Sequence, residues 1–234
     1  MGVDGKVVLI AGGSGALGQT VVPTFSMAGA QVITVDRNQL SAQVGGHAAM
    51  KADVTDEADV QRVVDEAIRT HGRIDALINL VGGFAMGRVV ETDVALWQRM
   101  LTMNVTAAFL LSKAVLPHMV ARGTGRIMHV AAWAAVEPFP GAAAYIVSKS
   151  SLLALIKVLA LELSGSGVTV NGVLPNTIDT PANRASMPKT DPSTWTRPES
   201  IADTLLFLAS EEARQISGAA IPIGVRISAK SGDA

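Results

Sequence analysis

The sequence predicts a doubly wound α/β fold, in which helices cover both faces of a parallel β-sheet. Short apolar runs of strand length alternate along the chain with longer stretches of helical period. This alternation is typical of parallel sheets, because each crossover between parallel strands needs a connecting element, usually a helix. Strands are predicted at residues 7–11, 31–36, 76–81, 127–131 and 168–174. Helices are predicted at residues 16–28, 57–70, 95–120, 143–163 and 199–209.

Composition and charge favour one compact domain across residues 1–234. Hydrophobic residues make up 49% of the chain and charged residues 17%, which is enough to bury a large core. A net charge of -1 gives no bulk attraction to nucleic acid or to an anionic membrane. The chain has no cysteine, and its N-terminus does not resemble an export signal. We therefore expect a cytoplasmic protein without nucleic-acid or membrane partners, in which the most apolar stretch, residues 152–163, is a buried helix.

Glycines and prolines mark where the predicted helices end. Gly72 and Gly123 follow predicted helices and are expected to cap their C-termini. Pro117 is expected to kink or stop the third helix. The Pro- and Ser-rich stretch 175–198 holds one apolar anchor, Trp195. A loop of that length is predicted to be a lid or a substrate loop.

A glycine-rich segment between the first predicted strand and the first helix indicates a dinucleotide site. It reads Gly12-Gly13-Ser14-Gly15-Ala16-Leu17-Gly18. Glycines let the chain turn tightly and approach a pyrophosphate, which the helix N-terminus attracts. Asp36 ends the second strand, where its carboxylate is expected to bind the adenosine ribose and to repel a 2′-phosphate. These positions predict a Rossmann domain that prefers NAD, while the adjacent Arg37 leaves NADP open.

Two other chemistries fit the sequence less well. Ser14 lies in a Gly-x-Ser-x-Ala context that approaches the nucleophile elbow of an α/β hydrolase. Such an enzyme needs a histidine near the end of the fold, whereas the last histidine here is His129. The four histidines also lack metal-ligand spacing, so no metal site is predicted.

The only tyrosine of the chain points to acid–base chemistry. Tyr145 lies four residues before Lys149, a spacing that places both side chains on one face of a helix. A fixed ammonium there is expected to stabilise the phenolate and to lower the phenol pKa from its usual value of about 10. Tyr145 is therefore predicted to donate a proton near neutral pH, with Lys149 as its electrostatic support.

Taken in order, these motifs resemble the short-chain dehydrogenase/reductase family over essentially the whole chain. The matching elements are the glycine loop, Asp53-Val54, Asn79 to Gly82, Asn104, Tyr145 with Lys149, and Val170-Asn171 leading to Pro175. The resemblance implies that Asp53 and Val54 flank the adenine and that Lys149 binds the nicotinamide ribose. It also implies that Tyr145 transfers the proton and that Asn104 holds a water that links Lys149 to solvent. Further cofactor contacts are implied at Val81, Gly82, Pro175, Thr177 and Ile178.

The chain departs from that family at one position of consequence. Ala132 lies thirteen residues before the tyrosine, where the family has a serine whose hydroxyl contacts the substrate oxygen. Ser148 and Ser112 lie at the wrong positions to replace that hydroxyl. Smaller departures occur at Ala16 and in Asn79-Leu80-Val81-Gly82, and cofactor binding is expected to survive them.

A narrower resemblance, to the NADH-dependent dihydropteridine reductases, makes the missing serine intelligible. It rests on Ala132, on Gly15-Ala16-Leu17-Gly18, and on the run from Leu174 to Pro188 followed by Trp195-Thr196. The implied reaction is reduction of a quinonoid dihydropterin, whose electron-poor imine system depends less on a polarising hydroxyl. Two alternatives stay open: a general carbonyl reductase or alcohol dehydrogenase of the same family, and a non-catalytic nucleotide-binding regulator.

Four residues are candidates for the substrate pocket. Ala132, Trp133, Met187 and Trp195 are expected to line a planar, apolar site. Ordinary packing is an equal interpretation for Met187 and Trp195, and it is the favoured one for Trp133 and for Phe84.

The predicted helices 95–120 and 143–163 carry more apolar surface than one sheet face needs. This surface indicates a contact between subunits, and the family resemblance implies a homodimer or a homotetramer that acts on a small-molecule substrate.

Overall fold

A computed structural model describes residues 2–37 and 48–224, which form a sheet of seven parallel strands. The strands are β1 (Val7–Ala11), β2 (Gln31–Asp36), β3 (Ala48–Lys51), β4 (Ala76–Asn79), β5 (Gly125–Val130), β6 (Val168–Pro175) and β7 (Ala220–Ile223). Their order across the sheet is β3-β2-β1-β4-β5-β6-β7. The helices are α1 (Gly18–Met27), α2 (Glu57–His71), α3 (Val94–Leu101), α4 (Ala107–Arg122), α5 (Ala143–Glu162), α6 (Pro181–Ser186) and α7 (Pro198–Ala209).

Helices cover both faces of the sheet, which confirms the predicted fold class. One face packs against α2, α4 and α5 through buried side chains such as Val64, Leu111 and Ile156. The other face packs against α1 and α7 through Phe25 and Leu205. Because β1 pairs with β2 on one side and with β4 on the other, the two halves of the sheet diverge there. A ligand crevice is expected at the carboxyl ends of the strands at that point.

Both edge strands lack a signal in the sequence and were not predicted. β3 has the sequence Ala-Ala-Met-Lys and is largely exposed, so it lacks the apolar run that marks a central strand. β7 has the sequence Ala-Ile-Pro-Ile and contains Pro222. An edge strand tolerates such residues because it pairs on one side only.

The third predicted helix is a series of segments. α3 passes into a π-helical turn at Thr102–Thr106, and α4 follows directly. Pro117 does not stop the helix, since α4 continues to Arg122. Pro117 is exposed, so the backbone carbonyl that loses its partner can face water. Gly123 ends α4 and Gly72 ends α2, with φ of 70° and 75°, as predicted.

The stretch 175–198 contains more regular structure than the sequence indicated. It holds α6, which begins after Thr180, whose side chain caps the helix by accepting from a backbone N–H. Ile178 and Thr196 pair as a parallel bridge that closes the base of the loop. Trp195 is 7% exposed, which confirms that it is an apolar anchor.

Two helical stretches, Val94–Arg122 and Ala143–Glu162, are long and apolar enough to span a membrane by length and composition alone. Core helices of sheet proteins meet the same criterion, and both stretches pack their inner faces on the sheet. Their length and composition therefore do not argue for a membrane partner.

Candidate active site

The glycine loop joins the carboxyl end of β1 to the N-terminus of α1, beside the crevice. Gly12 has a φ of 84°, a conformation that favours glycine. A Cβ at Gly18 would lie 2.2 Å from the carbonyl oxygen of Gly13, so only glycine lets α1 begin this close to the loop. Gly15 and Ala16 are exposed, which leaves the loop backbone accessible to a phosphate group.

Asp36 is fastened to the glycine loop. Its Oδ2 accepts a hydrogen bond from the Ser14 backbone N–H at 2.9 Å, and its Oδ1 accepts one from the Ser14 hydroxyl at 2.6 Å. A carboxylate has about four acceptor sites, so Asp36 can still accept from ribose hydroxyls. Arg37 follows it and is exposed. The structure thus brings these three predicted cofactor residues together.

Asp53 and Val54 follow β3 at the same edge of the sheet. One carboxylate oxygen of Asp53 accepts from the hydroxyl of Thr55 at 2.6 Å and from its backbone N–H at 2.9 Å. These two bonds lower the pKa of Asp53 below its usual value, so the carboxylate stays ionised. Val54 is buried beside it.

The other predicted cofactor contacts also lie along the carboxyl edge. They are Leu17 before α1, Val81 after β4, Pro175 at the end of β6, and Thr177 and Ile178 after it. The Val81 N–H donates to the side chain of Asn79 at 3.0 Å. The Thr177 carbonyl accepts from the Thr196 N–H at 2.8 Å. Both turns are therefore held in one conformation.

Asn104 is buried in the π-helical turn and forms hydrogen bonds with the segment after β4. Its Oδ1 accepts from the Gly83 N–H at 2.9 Å. Its Nδ2 donates to the Gly83 carbonyl at 3.0 Å and to the Ser148 hydroxyl at 2.9 Å. Asn104 thereby joins this segment to α5, while its implied role in holding a water stays a prediction. Gly83 was missed from the sequence, although the paired glycines Gly82-Gly83 could have signalled a close backbone approach.

Lys149 reaches from α5 to the carboxyl end of β5. It is 5% exposed, and its Nζ donates to the Val130 carbonyl at 2.8 Å. Burial lowers the pKa of Lys149 to about 8. A Cβ at Gly82 would lie 2.8 Å from Asn104 Oδ1 and 3.0 Å from Lys149 Nζ, so both polar groups face this glycine.

Tyr145 lies one helical turn before Lys149 on α5. Burial raises the pKa of Tyr145 to about 12, so the prediction of a lowered pKa is wrong. The physical reason is that the phenol is largely removed from water, which penalises its charged form. The Lys149 ammonium, meanwhile, is directed to the Val130 carbonyl. The raised pKa keeps Tyr145 fully protonated at neutral pH, as a proton donor must be.

Phe84 lies directly against the tyrosine. The ring centroids of Phe84 and Tyr145 are 4.9 Å apart, and the rings meet edge to face at 78°. Phe84 is nevertheless 58% exposed. Phe84 therefore packs against Tyr145, as favoured from the sequence, but it is not part of the buried core.

Ala132 lies two residues after the end of β5 and is buried. Neither nearby serine replaces the missing hydroxyl. The Ser148 hydroxyl donates to the Tyr145 carbonyl at 2.7 Å. The Ser112 hydroxyl donates to the Ala108 carbonyl at 2.7 Å. Both hydroxyls are therefore engaged in hydrogen bonds to backbone carbonyls.

The remaining predicted substrate residues lie on three different segments of the chain. Trp133 donates from Nε1 to Glu137 at 2.9 Å and packs partly against the core under α5. Met187 ends α6 and is half-buried. Trp195 lines a separate cleft of about 480 Å³ between the 177–196 loop and the start of α7.

His129 is a buried neutral group beside the site. Its Nε2 lies 3.1 Å from the Ser112 hydroxyl, whose proton is directed to Ala108. The Nε2 therefore carries the imidazole proton and donates it to Ser112. Burial and the nearby Lys149 charge lower the pKa of His129 to about 3. We therefore interpret His129 as a structural residue.

A phenol donor next to a buried ammonium, at the same sheet edge as a glycine loop, suits hydride and proton transfer with a dinucleotide. These features define the protein as a nucleotide-dependent α/β oxidoreductase. A family profile described as enoyl-(acyl carrier protein) reductase matches residues 12–224. The chain belongs to the short-chain dehydrogenase/reductase family, and it is a nicotinamide-dependent oxidoreductase of that family.

Known relatives match nearly the whole chain. The 2-(R)-hydroxypropyl-CoM dehydrogenase of Xanthobacter autotrophicus is 32% identical, over 92% of this chain and 96% of that protein. The D-threitol dehydrogenase of Mycolicibacterium smegmatis is 32% identical, over 94% of this chain and 92% of that protein. The 3-ketoacyl-(acyl-carrier-protein) reductase of Brucella melitensis, solved with NADH, superposes with a TM-score of 0.85 at 27% identity. That match covers 95% of this chain and 98% of the solved one.

Proposed function

We propose that this enzyme uses NADH to reduce a small, planar, electron-poor substrate, with quinonoid dihydropterin as the leading candidate. Tyr145 is the proton donor. The observation that supports the proposal is Ala132, which places a methyl group where the family has a serine hydroxyl. The enzyme keeps its proton donor and its buried ammonium, so the change points to a different substrate rather than to a lost reaction.

The carboxyl edge of the sheet fits a nicotinamide dinucleotide. Asp36, held by Ser14, would bind the adenosine ribose, and Asp53 would lie at the adenine. Lys149 would bind the nicotinamide ribose, with Gly82 leaving room beside it. A carboxylate at Asp36 repels a 2′-phosphate, which supports NAD over NADP. When bound, a reduced nicotinamide supplies a hydride.

Tyr145 supplies the proton that balances this hydride. A C=N or C=O bond of the substrate gains hydride on one atom and the phenol proton on the other, so the double bond becomes single. The Lys149 ammonium lies one helical turn from Tyr145 and donates to the Val130 carbonyl, so it would have to turn toward the phenol to stabilise the phenolate that the reaction leaves. Because its pKa is raised, Tyr145 holds the proton until negative charge develops on the substrate.

Ala132 favours an electron-poor substrate over an ordinary ketone. Losing one oxyanion donor costs a ketone reductase about 3 kcal/mol, or on the order of a hundredfold in rate. A quinonoid imine is already electron-poor and needs less polarisation. Ser148 and Ser112 are both engaged elsewhere, so neither offsets the loss.

Steady-state rates with NADH on quinonoid dihydropterin and on a panel of ketones test the proposal. We expect kcat/KM for the pterin to exceed that of the best ketone by about tenfold or more. Ala132→Ser should raise the ketone rates more than the pterin rate. Tyr145→Phe should lower both by roughly 100-fold to 10,000-fold. Turnover of ketones alone by the wild type would contradict a pterin substrate.

A dehydrogenase of small alcohols or diols is the second candidate, favoured by relatives such as the D-threitol dehydrogenase. In this direction Tyr145 acts as the base. Its phenol must first lose a proton that is held with a pKa of about 12, so the oxidation rate should rise steadily with pH. Initial rates with NAD⁺ on D-threitol from pH 7 to pH 10 test this candidate. Oxidation that speeds up with pH would support it, and no oxidation at any pH would contradict it.

The preference for NAD is tested at Asp36. We expect Asp36→Ser to lower the ratio of KM for NADPH to KM for NADH by about tenfold or more, because the repelling carboxylate is gone and Arg37 can pair with the phosphate. The double variant Asp36→Ser/Arg37→Ala is the control and should lose most of that gain. An unchanged ratio in the single variant would show that Asp36 does not set the preference.

We also infer a homodimer or homotetramer, with α4 and α5 as the contact. These helices expose apolar side chains, namely Phe109, Val120, Val147, Val158 and Leu161. A second copy of the chain would remove this surface from water. Sedimentation velocity at micromolar protein concentration tests the inference, and a monomer would contradict it. The cytoplasmic location stays a prediction.

A further inference from the structure

We propose that Phe84 selects the substrate by presenting its exposed ring to a planar ring system, and so supplies the alignment that the hydroxyl missing at Ala132 would have given. The proposal rests on the proposed function and names the residue that sets the substrate class. Phe84 would contact the substrate beside Tyr145, which remains the proton donor.

Phe84 touches the catalytic residue yet remains open. Its ring lies 4.9 Å from that of Tyr145, centroid to centroid, and it is 58% exposed. An edge-to-face contact uses only part of an aromatic surface. The rest of the Phe84 ring is available at the place where a substrate must approach the Tyr145 phenol.

The segment that carries Phe84 is fixed at both ends. Asn104 binds the N–H and the carbonyl of Gly83. At the other end, the Gly87 N–H donates to the Gly141 carbonyl at 2.7 Å, and the Gly87 carbonyl accepts from the Ala143 N–H at 3.1 Å. Residues 141–143 lead into α5, which carries the tyrosine. The ring is therefore held in place beside the phenol before any substrate binds, which lowers the entropic cost of binding.

The chemistry of this wall is apolar. Residues 82–87 read Gly-Gly-Phe-Ala-Met-Gly and contain no charged or hydrogen-bonding side chain. Met86 is exposed, and a Cβ at Gly141 would lie 3.2 Å from its Cε. An aromatic ring and a thioether both favour a flat, polarisable partner. A conjugated ring that carries the reacting C=N or C=O group matches this surface better than an open-chain substrate.

Two vicinal diketones test the proposal, because they share a reacting group and differ in the ring. One is 9,10-phenanthrenequinone, which is planar and aromatic, and the other is 2,3-butanedione, which is open-chain. In each, NADH supplies a hydride to a carbonyl carbon and Tyr145 supplies the proton to its oxygen. The quantity measured is the ratio of kcat/KM for the quinone to kcat/KM for the butanedione.

We expect Phe84→Leu to lower this ratio about fivefold to tenfold, mainly through the KM of the quinone. Phe84→Tyr keeps a ring and should retain the ratio within about twofold. Phe109→Leu is the matched control, because Phe109 is a phenylalanine on α4 in the inferred subunit contact, and sedimentation velocity first checks that this variant keeps the wild-type assembly. It should keep the wild-type ratio. An unchanged ratio in Phe84→Leu, or an equal loss on both diketones, would overturn the proposal.

Equilibrium binding separates this proposal from the proposed function. Calorimetric titration of 9,10-phenanthrenequinone into NAD⁺-saturated protein needs no turnover. If the wild type reduces neither diketone, the proposed reduction fails for these substrates. A dissociation constant weakened about fivefold in Phe84→Leu would then still support Phe84 as the ring contact. Equal binding by the two proteins, or no binding by the wild type, would overturn it.

Discussion

At the scale of single residues, Gly82 is required by its neighbours. A Cβ there would meet Asn104 Oδ1 at 2.8 Å and Lys149 Nζ at 3.0 Å, and neither atom is free to retreat. Asn104 is bound to Gly83, and Lys149 to the Val130 carbonyl. We expect Gly82→Ala to lower kcat/KM on the order of 100-fold by displacing these groups.

The matching readout for Gly82→Ala is stability. Asn104 and Lys149 are buried, so displacing their hydrogen bonds should lower the free energy of unfolding by about 1 to 3 kcal/mol. Denaturant titration checks this value beside the kinetic measurement. Full activity in the variant would show that Asn104 and Lys149 tolerate displacement.

Lys149 and Tyr145 lose their protons at different pH. Burial lowers the pKa of Lys149 to about 8 and raises that of Tyr145 to about 12. As pH rises through about 8, Lys149 loses the charge that stabilises the phenolate, while Tyr145 stays protonated. We expect kcat for NADH-dependent reduction to fall through this range. A profile that stays flat to pH 10 would contradict the assignment.

Unfolding does not explain such a loss. Between about pH 8 and 10.5 the unfolded chain holds the Lys149 proton more tightly than the folded chain does. This group alone therefore makes the folded state more stable as pH rises through that window. Circular dichroism at each pH provides the control.

At the scale of elements, local pattern decided what the sequence could predict. β1 and β2 were predicted to the residue because apolar runs end at the glycine loop and at Asp36. The edge strands β3 and β7 lack such runs and are defined by pairing with distant strands. α6 was missed because a six-residue helix depends on its Thr180 cap and on the Ile178–Thr196 bridge.

In the candidate site, too, local patterns predicted some features, and contacts between distant segments determined the others. The Tyr145 and Lys149 pair follows from helical spacing, and Asp36 follows from its place at a strand end. The contact between Phe84 and Tyr145 joins the segment after β4 to α5, so no local pattern encodes it. The raised pKa of Tyr145 likewise results from burial in the assembled site.

The contact between β5 and α4 makes the protein acid-sensitive at His129. The folded chain keeps His129 neutral down to about pH 3, whereas the unfolded chain takes up a proton near pH 6.5. Stability is therefore lost as pH falls below 6.5, by about 2 kcal/mol at pH 5. His129→Gln should reduce this dependence, as measured by urea unfolding at pH 7 and pH 5. His118→Gln, a half-buried position on α4, is the control, and equal dependence in both variants would contradict the assignment.

Across the molecule, the carboxyl ends and the amino ends of the strands serve different purposes. The carboxyl ends carry the candidate site. The amino ends carry a buried cation near the start of β5. Arg126 is 3% exposed and joins three backbone segments there. Its guanidinium donates to the carbonyls of Gly125, Gly167 and Ser210 and pairs with Glu211.

This separation predicts that stability and activity can be changed independently. Arg126→Ala leaves three carbonyls without their donor and opens a cavity, so we expect the free energy of unfolding to fall by about 3 kcal/mol. Glu211→Gln should cost less than about 1 kcal/mol, because Glu211 is 61% exposed and Arg126 keeps its carbonyl partners. Urea titration measures both values, and kcat at 25 °C should stay within about twofold of wild type because Tyr145 lies at the other edge. A large loss of kcat in folded Arg126→Ala protein would mean that the two edges are coupled through β5.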